Sequence, residues 1–417
     1  MKIGLIIIGD ELLAGSTQDC NMLYLGEKLR SIGLTLSHCQ VIADQLPSIE
    51  QAFKDSLNNF DLTICSGGLG PTIDDRTKLA LANFLSVELK ENEDAKNLAA
   101  IHYSRRGLTW QPALNNYHMI PQGVTAFLNP KGLAPGLYLK INNQKELLCA
   151  PGVPREFQAM VDHFFEKNHL DKMAKERAYF SIRTTGIPEE QIFNHKCPNL
   201  WRKLSEFGDV SSYPRPTGID IVISNLKIDS QEFKKLIENL PEIEPIRENI
   251  WHLGNGPIEK LIIEFALQHK ITISTAESCT GGLIAHLLTE VSGSSGAFWG
   301  TVVGYDNRVK ENLLQVSSEN LKNYGAVSIQ VAEQMATGIK LATKTTYAIS
   351  TTGIAGPLGG STEKPVGTVC IGIHGPNGVN AKMHQIPTLF DRDEMKKRFA
   401  TRALITLYRQ MKKDFSP

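Results

Sequence analysis

Short apolar runs that alternate with helix-period segments are the feature that most limits how this chain can fold. Ile3–Ile8 and Leu62–Ser66 each predict a buried strand that is followed by glycine. Between these runs, a helical pattern ends at Gly33, a strand is expected near 34–42, and a second helix begins near Pro47. Repeated strand–helix–strand connections predict a parallel sheet covered by helices. The ligand crevice of such a sheet lies at the carboxyl ends of its strands.

Between about residues 166 and 250 the pattern changes to that of a small α+β module. Its predicted elements are two strands and a charged amphipathic helix, at 178–183, 219–224 and 231–240. After the Asn-Gly-Pro stretch at 255–257 a second α/β pattern begins, with a helix, a strand and a helix at 258–268, 271–275 and 283–289. The predicted domains are therefore 1–168, 169–252 and 253–417. The middle module shows no recognisable pattern of catalytic or ligand-binding residues, so we expect it to act as a spacer or to pack in a dimer.

Charge and cysteine content exclude several classes of function. Lys plus Arg and Asp plus Glu each total 44, so no net field attracts nucleic acid or an anionic membrane. The seven cysteines lie far apart without a C-x-x-C pair, which argues against a zinc site and fits a reducing compartment. The apolar run at the start is too short for a signal peptide or a membrane span. We therefore expect a cytoplasmic protein that binds neither nucleic acid nor membranes directly.

A turn rich in hydroxyls and glycine stands where the strand at 271–275 should pass into the helix at 283–289. Ser278 in this turn could act as a nucleophile if Lys310, kept neutral by burial, removed its proton. From the residues alone, a helix N-cap explains Ser278 equally well, and a solvated surface position explains Lys310 better. Cys279 is a rival nucleophile without an evident histidine partner. The backbone N–H groups at the start of the helix are expected to face a ligand.

Four segments of this part, 277–282, 305–310, 325–328 and 352–368, follow one another in a recognisable order. They resemble the C-terminal domain of the CinA family (competence/damage-inducible protein A), which also occurs as the free-standing enzyme nicotinamide-nucleotide amidase. The resemblance implies hydrolysis of nicotinamide mononucleotide to nicotinate mononucleotide and ammonia, a cofactor-free step of pyridine-nucleotide salvage. The glycine-rich turn at 352–357 could hold a phosphate or an oxyanion through its amides, or be a plain connection.

The same resemblance assigns roles to individual residues. Ser278 is the implied nucleophile, and Lys310 and Tyr305 are its acid/base partners. Glu277 is either a polar contact for the substrate or a structural hydrogen-bonding group, and the sequence leaves both open. The expected substrate-binding residues are Glu277, Thr280, Gly281, Gly282, Asn307, Gly353, Ile354, Ala355 and Gly356.

Two turns of the N-terminal part, at 9–15 and 67–77, follow its first and third strands. Their glycines would let the backbone approach a phosphate, and their carboxylates could bind a divalent ion. A tight turn with carboxylates at a helix start is the equal alternative. Neither a Walker A nor a G-x-G-x-x-G pattern is present, which disfavours an ATPase or a dehydrogenase. The expected nucleotide-binding residues are Gly67, Gly68, Leu69, Gly70, Pro71, Thr72, Asp10 and Glu11, and the expected metal ligands are Asp44, Asp74 and Asp75.

This half resembles the molybdopterin-binding-like domain of the same family, a three-layer α/β fold like that of MoaB and MogA. The match includes the Gly-Gly-Leu-Gly-Pro-Thr-x-Asp-Asp run, 134–136 and 151–156. In CinA proteins this domain is associated with metal-dependent ADP-ribose pyrophosphatase activity, whereas related proteins bind molybdopterin. The chain departs from the family at 115–118, where Lys-Gln is usual, and at Leu133, where Thr is common.

The resemblances together imply a homodimeric, bifunctional α/β enzyme whose small-molecule partners are nicotinamide mononucleotide and ADP-ribose. A divalent ion is expected only for the N-terminal activity. A second hypothesis makes the N-terminal domain a non-catalytic molybdopterin or nucleotide sensor. A third, suggested by the family name, is an accessory role in competence or DNA damage. Zero net charge and the lack of a basic stripe argue against direct DNA contact in that role.

Overall fold

The computed structural model of the protein describes residues 1–141, 145–170, 179–387 and 389–415. The chain divides into two units, the first comprising Met1–Tyr179 and Ser224–Ser230 and the second the remainder from Phe180 onward. Among the helices described, none is both long enough and apolar enough to cross a lipid bilayer.

A six-stranded mixed sheet forms the centre of the first unit. The strands of this unit are β1 (Ile3–Ile8), β2 (Leu36–Ile42), β3 (Leu62–Ser66), β4 (Leu89–Glu91), β5 (Met119–Pro121), β6 (Thr125–Phe127), β7 (Gly136–Ile141) and β8 (Lys145–Ala150). The sheet order is β2-β1-β3-β8-β7-β6, while β4 and β5 pair separately. The predicted parallel arrangement is confirmed for β2, β1, β3 and β8. The sequence did not predict β7 and β6, which run antiparallel because the short connection from β7 to β8 cannot hold a crossover helix.

Helices cover both faces of this sheet. They are α1 (Asp10–Leu13), α2 (Asn21–Ser31), α3 (Leu46–Asn59), α4 (Thr77–Leu85), α5 (Glu93–Ser104) and α6 (Pro154–Lys167). Leu25 of α2 and Phe164 of α6 are fully buried against one face, and Phe53 of α3 and Leu81 of α4 against the other. Removing such apolar side chains from water stabilises the three layers and leaves the strand ends as the place for a site.

The α+β module that begins the second unit contains one antiparallel sheet. Its elements are β9 (Phe180–Thr184), α7 (Leu200–Ser205), β10 (Asp209–Arg215), β11 (Gly218–Ser224), α8 (Ser230–Glu238) and β12 (Ile250–Leu253). The strand order is β10-β11-β9-β12. The predicted strands correspond to β9 and β11 and the predicted helix to α8, each shifted by one or two residues. Ala178, where the first of these strands was predicted to start, lies outside the described residues.

A five-stranded sheet organises the C-terminal part of the second unit. Its strands are β13 (Ile273–Glu277), β14 (Phe298–Val303), β15 (Tyr347–Gly353), β16 (Thr368–Gly375) and β17 (Gly378–Gln385). They lie in the order β14-β13-β15-β16-β17, with β14, β13 and β15 parallel and β16 and β17 antiparallel. The accompanying helices are α9 (Ile258–Gln268), α10 (Leu283–Thr289), α11 (Asn307–Leu314), α12 (Ser318–Tyr324), α13 (Ile329–Thr343) and α14 (Arg392–Phe415).

The two faces of this sheet have separate apolar cores. Ile262 of α9 and Phe399 of α14 belong to one core, whereas Leu314 of α11 and Met335 of α13 belong to the other. All five residues of β13 are buried between them. Because both faces are covered, the carboxyl ends of the three parallel strands are where functional groups can reach a ligand.

Candidate functional site

The structure brings three of the four predicted segments of the C-terminal part, those at 277–282, 305–310 and 352–368, to one edge of the sheet. Glu277, the last residue of β13, is opposite Val303 of β14 and Thr351 of β15. The amide of Gly304 donates to the Glu277 carbonyl at 2.8 Å, and the amide of Ser278 donates to the Thr351 carbonyl at 2.9 Å. The turns that follow β13, β14 and β15 therefore start side by side.

Glu277 is a structural hydrogen-bonding group at this edge. Its carboxylate is fully buried and accepts hydrogen bonds from the amides of Gly282, Ile284 and Ala285 at 2.9, 3.1 and 2.9 Å. The Thr280 hydroxyl donates to the same carboxylate at 2.8 Å. The prediction that these helix amides are free for a ligand is wrong, because the carboxylate at the end of β13 reaches the first turn of α10 and satisfies them.

Ser278 remains without a structural hydrogen bond from its hydroxyl. The N-cap position of α10 is Gly282, so capping does not explain the serine. Ser278 is 8% exposed, and its hydroxyl is hydrogen-bonded to none of the described residues. The neighbouring amides of Cys279 and Thr280 make no backbone hydrogen bond in the described part of the chain. Such amides beside a serine hydroxyl are the donors that a developing oxyanion needs.

The thiol of Cys279 is poorly suited to compete with Ser278. Burial raises its pKa to about 12, so the thiol is protonated at neutral pH. Because the thiolate is the reactive form of cysteine, the buried environment of Cys279 argues against its role as the nucleophile.

Lys310 is buried rather than solvated. The residue is 1% exposed, and its Nζ donates to the carbonyl oxygen of Tyr305 at 3.1 Å and to Asn307 Oδ1 at 3.4 Å. Its side chain packs on Gly304, where its Cγ would lie 3.3 Å from an added Cβ. Burial lowers the pKa of the amine, against the opposing influence of the nearby Asp306. In the described residues no hydrogen bond joins Lys310 to Ser278.

Tyr305 faces a residue that the sequence analysis missed. Its side chain is 65% exposed, and its hydroxyl accepts a hydrogen bond from Arg392 Nη2 at 2.9 Å. Arg392 also donates through Nη1 to the carbonyl of Gly356 at 2.6 Å. Lys396, one turn further along α14, has its Nζ 3.6 Å from the position of an added Cβ on Gly281. The sequence feature that could have indicated Arg392 and Lys396 is the presence of basic residues at the start of the amphipathic pattern of α14.

The glycine-rich turn after β15 is only partly free. Gly353 pairs with Val369, and the amide of Ile354 donates to the Thr368 carbonyl at 2.8 Å. The amides of Ala355 and Gly356 make no backbone hydrogen bond to the residues described. Two of the four predicted residues therefore retain donors for an anion.

The predicted N-terminal residues meet at a cavity of about 430 Å³ at the carboxyl ends of β1, β3 and β8. Of the predicted residues, those that line it are Glu11, Asp44, Gly67, Gly68, Leu69, Gly70, Pro71, Asp74 and Asp75. Asp10 and Thr72 do not line it. A Cβ on Gly67 (φ +112°) would clash with the Ile8 carbonyl, and one on Gly68 (φ +67°) would clash with the Thr77 hydroxyl. Glycine is required at both positions for the backbone to border the cavity.

The carboxylates around this cavity are partly used within the protein. Asp44 accepts a hydrogen bond from the Asp10 amide at 2.9 Å, and Asp75 accepts from the amide and the hydroxyl of Thr72. Burial raises the pKa of Asp44, and the charges of Asp10, Glu11 and Asp74 add to this rise. Within the described ranges, no three His, Cys, Asp or Glu side chains form a group that could hold a metal ion. The predicted ligands Asp44, Asp74 and Asp75 are thus not assembled as a metal site.

Two of the residues at the positions that depart from the family pattern line the cavity, and others make hydrogen bonds outside it. Asn115 binds Trp110 Nε1 and the Tyr103 hydroxyl, and Asn116 accepts both hydrogen bonds of Lys78 Nζ at 2.7 Å. Burial lowers the pKa of Lys78 to about 8. Tyr117 and Leu133 line the cavity directly, as does Arg106. Neither Lys78 nor Arg106 was predicted from the sequence.

Known proteins and family models are similar to this chain over almost its whole length. The family model described as "CinA C-terminal domain" matches residues 255–411, and that described as "Probable molybdopterin binding domain" matches residues 4–170. A putative competence-damage inducible protein of Caldicellulosiruptor saccharolyticus is 34% identical over 384 residues, covering 91% of this chain and 92% of that protein. A CinA-like protein of Nostoc punctiforme is 32% identical, with 99% of each chain covered.

Among solved structures, the competence/damage inducible protein CihA of Agrobacterium tumefaciens is 42% identical, with a TM-score of 0.35. That match covers 37% of this chain and 94% of the other. Because relatives at 32–34% identity span almost the entire sequence, and both domain models match in order, the chain belongs to the CinA family.

Proposed function

We propose that the C-terminal domain hydrolyses the carboxamide of nicotinamide mononucleotide to give nicotinate mononucleotide and ammonia. The observation that carries this proposal is the buried amine of Lys310, next to the strand end that bears Ser278. Its hydrogen-bond acceptors are uncharged oxygens, and no described carboxylate forms an ion pair with it. Burial without a paired counter-charge favours the neutral amine, which can accept a proton.

The residues at this edge supply the groups for a serine amidase. Ser278 Oγ attacks the carboxamide carbon while its proton passes to Lys310 Nζ, directly or through one water. The amides of Cys279 and Thr280 stabilise the negative oxygen that results. The protonated Lys310 then gives the proton to the leaving nitrogen, the C–N bond breaks and ammonia departs. Water hydrolyses the acyl-serine ester and releases the carboxylate product.

The same edge offers an anchor for the substrate phosphate. Arg392 and Lys396 place two positive charges near the turns that contain Gly281 and Gly356. The amides of Ala355 and Gly356 are further donors. A phosphate held there would fix the position of the pyridine ring relative to Ser278. Such positioning lowers the translational and rotational entropy that is lost on reaching the transition state.

The pH profile of the reaction tests the role of Lys310. We expect kcat/KM of the full-length protein on nicotinamide mononucleotide to rise with pH through the pKa of Lys310, because the amine must be deprotonated to act as the base. That pKa lies below the usual 10.5 because the amine is buried. We expect Lys310→Met to lower kcat about 10³-fold. Ammonia release measured from acid to alkaline pH gives both quantities.

A matched control keeps this test specific. Lys322→Met removes an exposed lysine of α12 and is expected to leave the profile unchanged. If Lys310→Met kept the wild-type rate and profile, Lys310 would not be the base. If the wild-type protein released no ammonia, the amidase proposal itself would be wrong.

We propose as a second function that the cavity of the first unit binds the phosphates of a nucleotide such as ADP-ribose. The glycines at 67 and 68 bring the backbone to the cavity, and Arg106 lines it with a charged side chain whose only described acceptor is the Lys131 carbonyl. Arginine and exposed backbone amides are suited to phosphate groups. Pyrophosphate hydrolysis stays a prediction, because the carboxylates are not gathered as metal ligands. Binding of molybdopterin without turnover is the competing possibility.

Calorimetric titration with ADP-ribose tests this second function. We expect Arg106→Met to weaken binding about tenfold, because a charge-assisted hydrogen bond is lost. Arg105→Met, at the exposed neighbouring position that does not line the cavity, is the control and should bind normally. Equal affinity in the two variants would contradict the assignment of the cavity. Magnesium-dependent release of AMP that disappears in Asp74→Asn would establish the hydrolytic activity in addition.

A further inference from the structure

A second cavity, of about 540 Å³, lies within the second unit and is separate from Ser278 and Lys310. Loops 186–189 and 214–219 of the α+β module form one side of it. Residues 385–387, which begin at the last residue of β17, form the other side together with Phe390 and with Arg398 and Arg402 of α14. The module therefore contributes more than half of the residues that line this cavity, although its sequence shows no recognisable catalytic or ligand-binding pattern.

The wall combines apolar surface with arginine side chains. Four prolines and three isoleucines contribute to it, and such rigid, apolar surfaces favour flat or compact apolar groups. Of the three arginines in the wall, Arg398 pairs with Glu394 and Arg215 lies 3.9 Å from Asp220, whereas Arg402 has no carboxylate partner among the described residues. An apolar cavity with such an unpaired cation is suited to an organic anion.

Arg402 is the most informative of these side chains. It is only partly exposed, and among the residues described it forms neither an ion pair nor a side-chain hydrogen bond. Its guanidinium lies beside Gly186, where Nη2 would be 3.3 Å from an added Cβ. Burial lowers its pKa, and the nearby Arg409 acts in the same direction. A half-buried guanidinium without a described acceptor leaves its N–H donors available to a ligand in the cavity.

Two neighbours of Arg402 support a ligand site. The Arg398 guanidinium stacks on the Phe390 ring at 3.7 Å and pairs with Glu394 at 3.0 Å, so it is held in place at the wall. The Thr217 hydroxyl is buried, with 9% of the residue exposed, and has no hydrogen-bond partner in the described structure. A hydroxyl without a described partner thus lies in the same wall as the unpaired guanidinium.

We propose that this cavity binds a small organic anion, with its phosphate or carboxylate on Arg402 and its aromatic or other apolar body against the proline-rich wall. Arg215 at the exposed rim adds to the attraction for the anionic group. The α+β module then contributes to ligand binding and is not only a spacer. The proposal is independent of the amidase, because none of the residues that carry it belongs to the Ser278 site.

Two fluorescent probes with the same aromatic body test this proposal in the full-length protein. One is 1-anilinonaphthalene-8-sulfonate, and the other is the neutral N-phenyl-1-naphthylamine. We expect the wild-type protein to bind the sulfonate at one saturable site at least about tenfold more tightly than the neutral probe. Arg402→Met should remove this preference, because the wall stays apolar while the charge is lost.

Further variants make the test robust to misfolding. Arg402→Lys keeps the charge and should retain most of the preference, and Arg215→Met, at an exposed position, should reduce it by about threefold. Arg202→Met removes an exposed arginine of α7 that does not line the cavity and should change nothing. An unchanged preference in both Arg402→Met and Arg215→Met would overturn the proposal.

Competition identifies the anionic group. Displacement of the bound sulfonate by phenyl phosphate at a lower concentration than by benzoate would assign a phosphate ligand, and the reverse order would assign a carboxylate. Displacement by neither compound would overturn the proposal. Loss of amidase activity in Ser278→Ala without any change in probe binding would separate this cavity from the proposed reaction site.

Discussion

Replacing Ser278 by alanine is expected to lower kcat for ammonia release from nicotinamide mononucleotide by about 10³-fold or more. The variant keeps the backbone amides that would stabilise the oxyanion but removes the oxygen that would attack. Ser278 makes no structural hydrogen bond through its hydroxyl to the described residues, so the substitution should leave stability nearly unchanged. Steady-state ammonia release together with urea denaturation measures both effects.

Cys279→Ala is the decisive companion to this experiment. Because burial keeps the Cys279 thiol protonated, with a pKa of about 12, its removal should reduce the rate by no more than about tenfold. A large loss in Cys279→Ala with full activity in Ser278→Ala would exchange the roles of the two residues. Retained activity in both variants would place the reaction elsewhere.

Glu277→Gln is expected to lower the free energy of unfolding around α10 by about 3 kcal/mol. The carboxylate accepts from three backbone amides and the Thr280 hydroxyl, and glutamine would present an NH₂ group to some of these donors. The substitution also removes the negative charge beside the first turn of the helix. Urea-dependent hydrogen exchange of the α10 amides reports this local stability.

Glu290→Gln serves as the control for this second prediction. Glu290 is exposed and pairs with His286 one turn away at 3.3 Å, so its replacement should change stability by less than about 0.5 kcal/mol. Equal exchange in Glu277→Gln and the wild type would show that the buried carboxylate does not stabilise the helix start.

The carboxyl edge of the C-terminal sheet was predictable because its signals are local. The strand predicted at 271–275 is β13 at 273–277, two residues later, and the helix predicted at 283–289 is α10. Parallel pairing then brings the segment with Lys310 to the same edge. The family resemblance implies roles for individual residues at this edge. The ends of the parallel strands alone already indicate where a site can form.

The missed features depend on contacts between residues distant in sequence. Arg392 donates a hydrogen bond to Tyr305, which lies 87 residues earlier in the chain, and no local sequence pattern predicts that contact. Likewise, the sequence left open whether the Glu277 carboxylate contacts a substrate or the first turn of α10. The path of the backbone places the Gly282 amide against this carboxylate, and only the structure shows that path. The strands β7 and β16, which pair antiparallel with β8 and β15, were not predicted, because the signal used was the strand–helix–strand pattern and antiparallel neighbours need no crossover helix.

The Lys310 amine takes both of its acceptors, the Tyr305 carbonyl and the Asn307 amide oxygen, from the five residues that precede it. The orientation of this amine is therefore encoded within a single short loop and helix start. Such a stretch is modular: grafted between a strand and a helix of another parallel sheet, it would carry the acceptors that orient the lysine, while the host would have to supply the burial that lowers the pKa of the amine and the neighbouring serine.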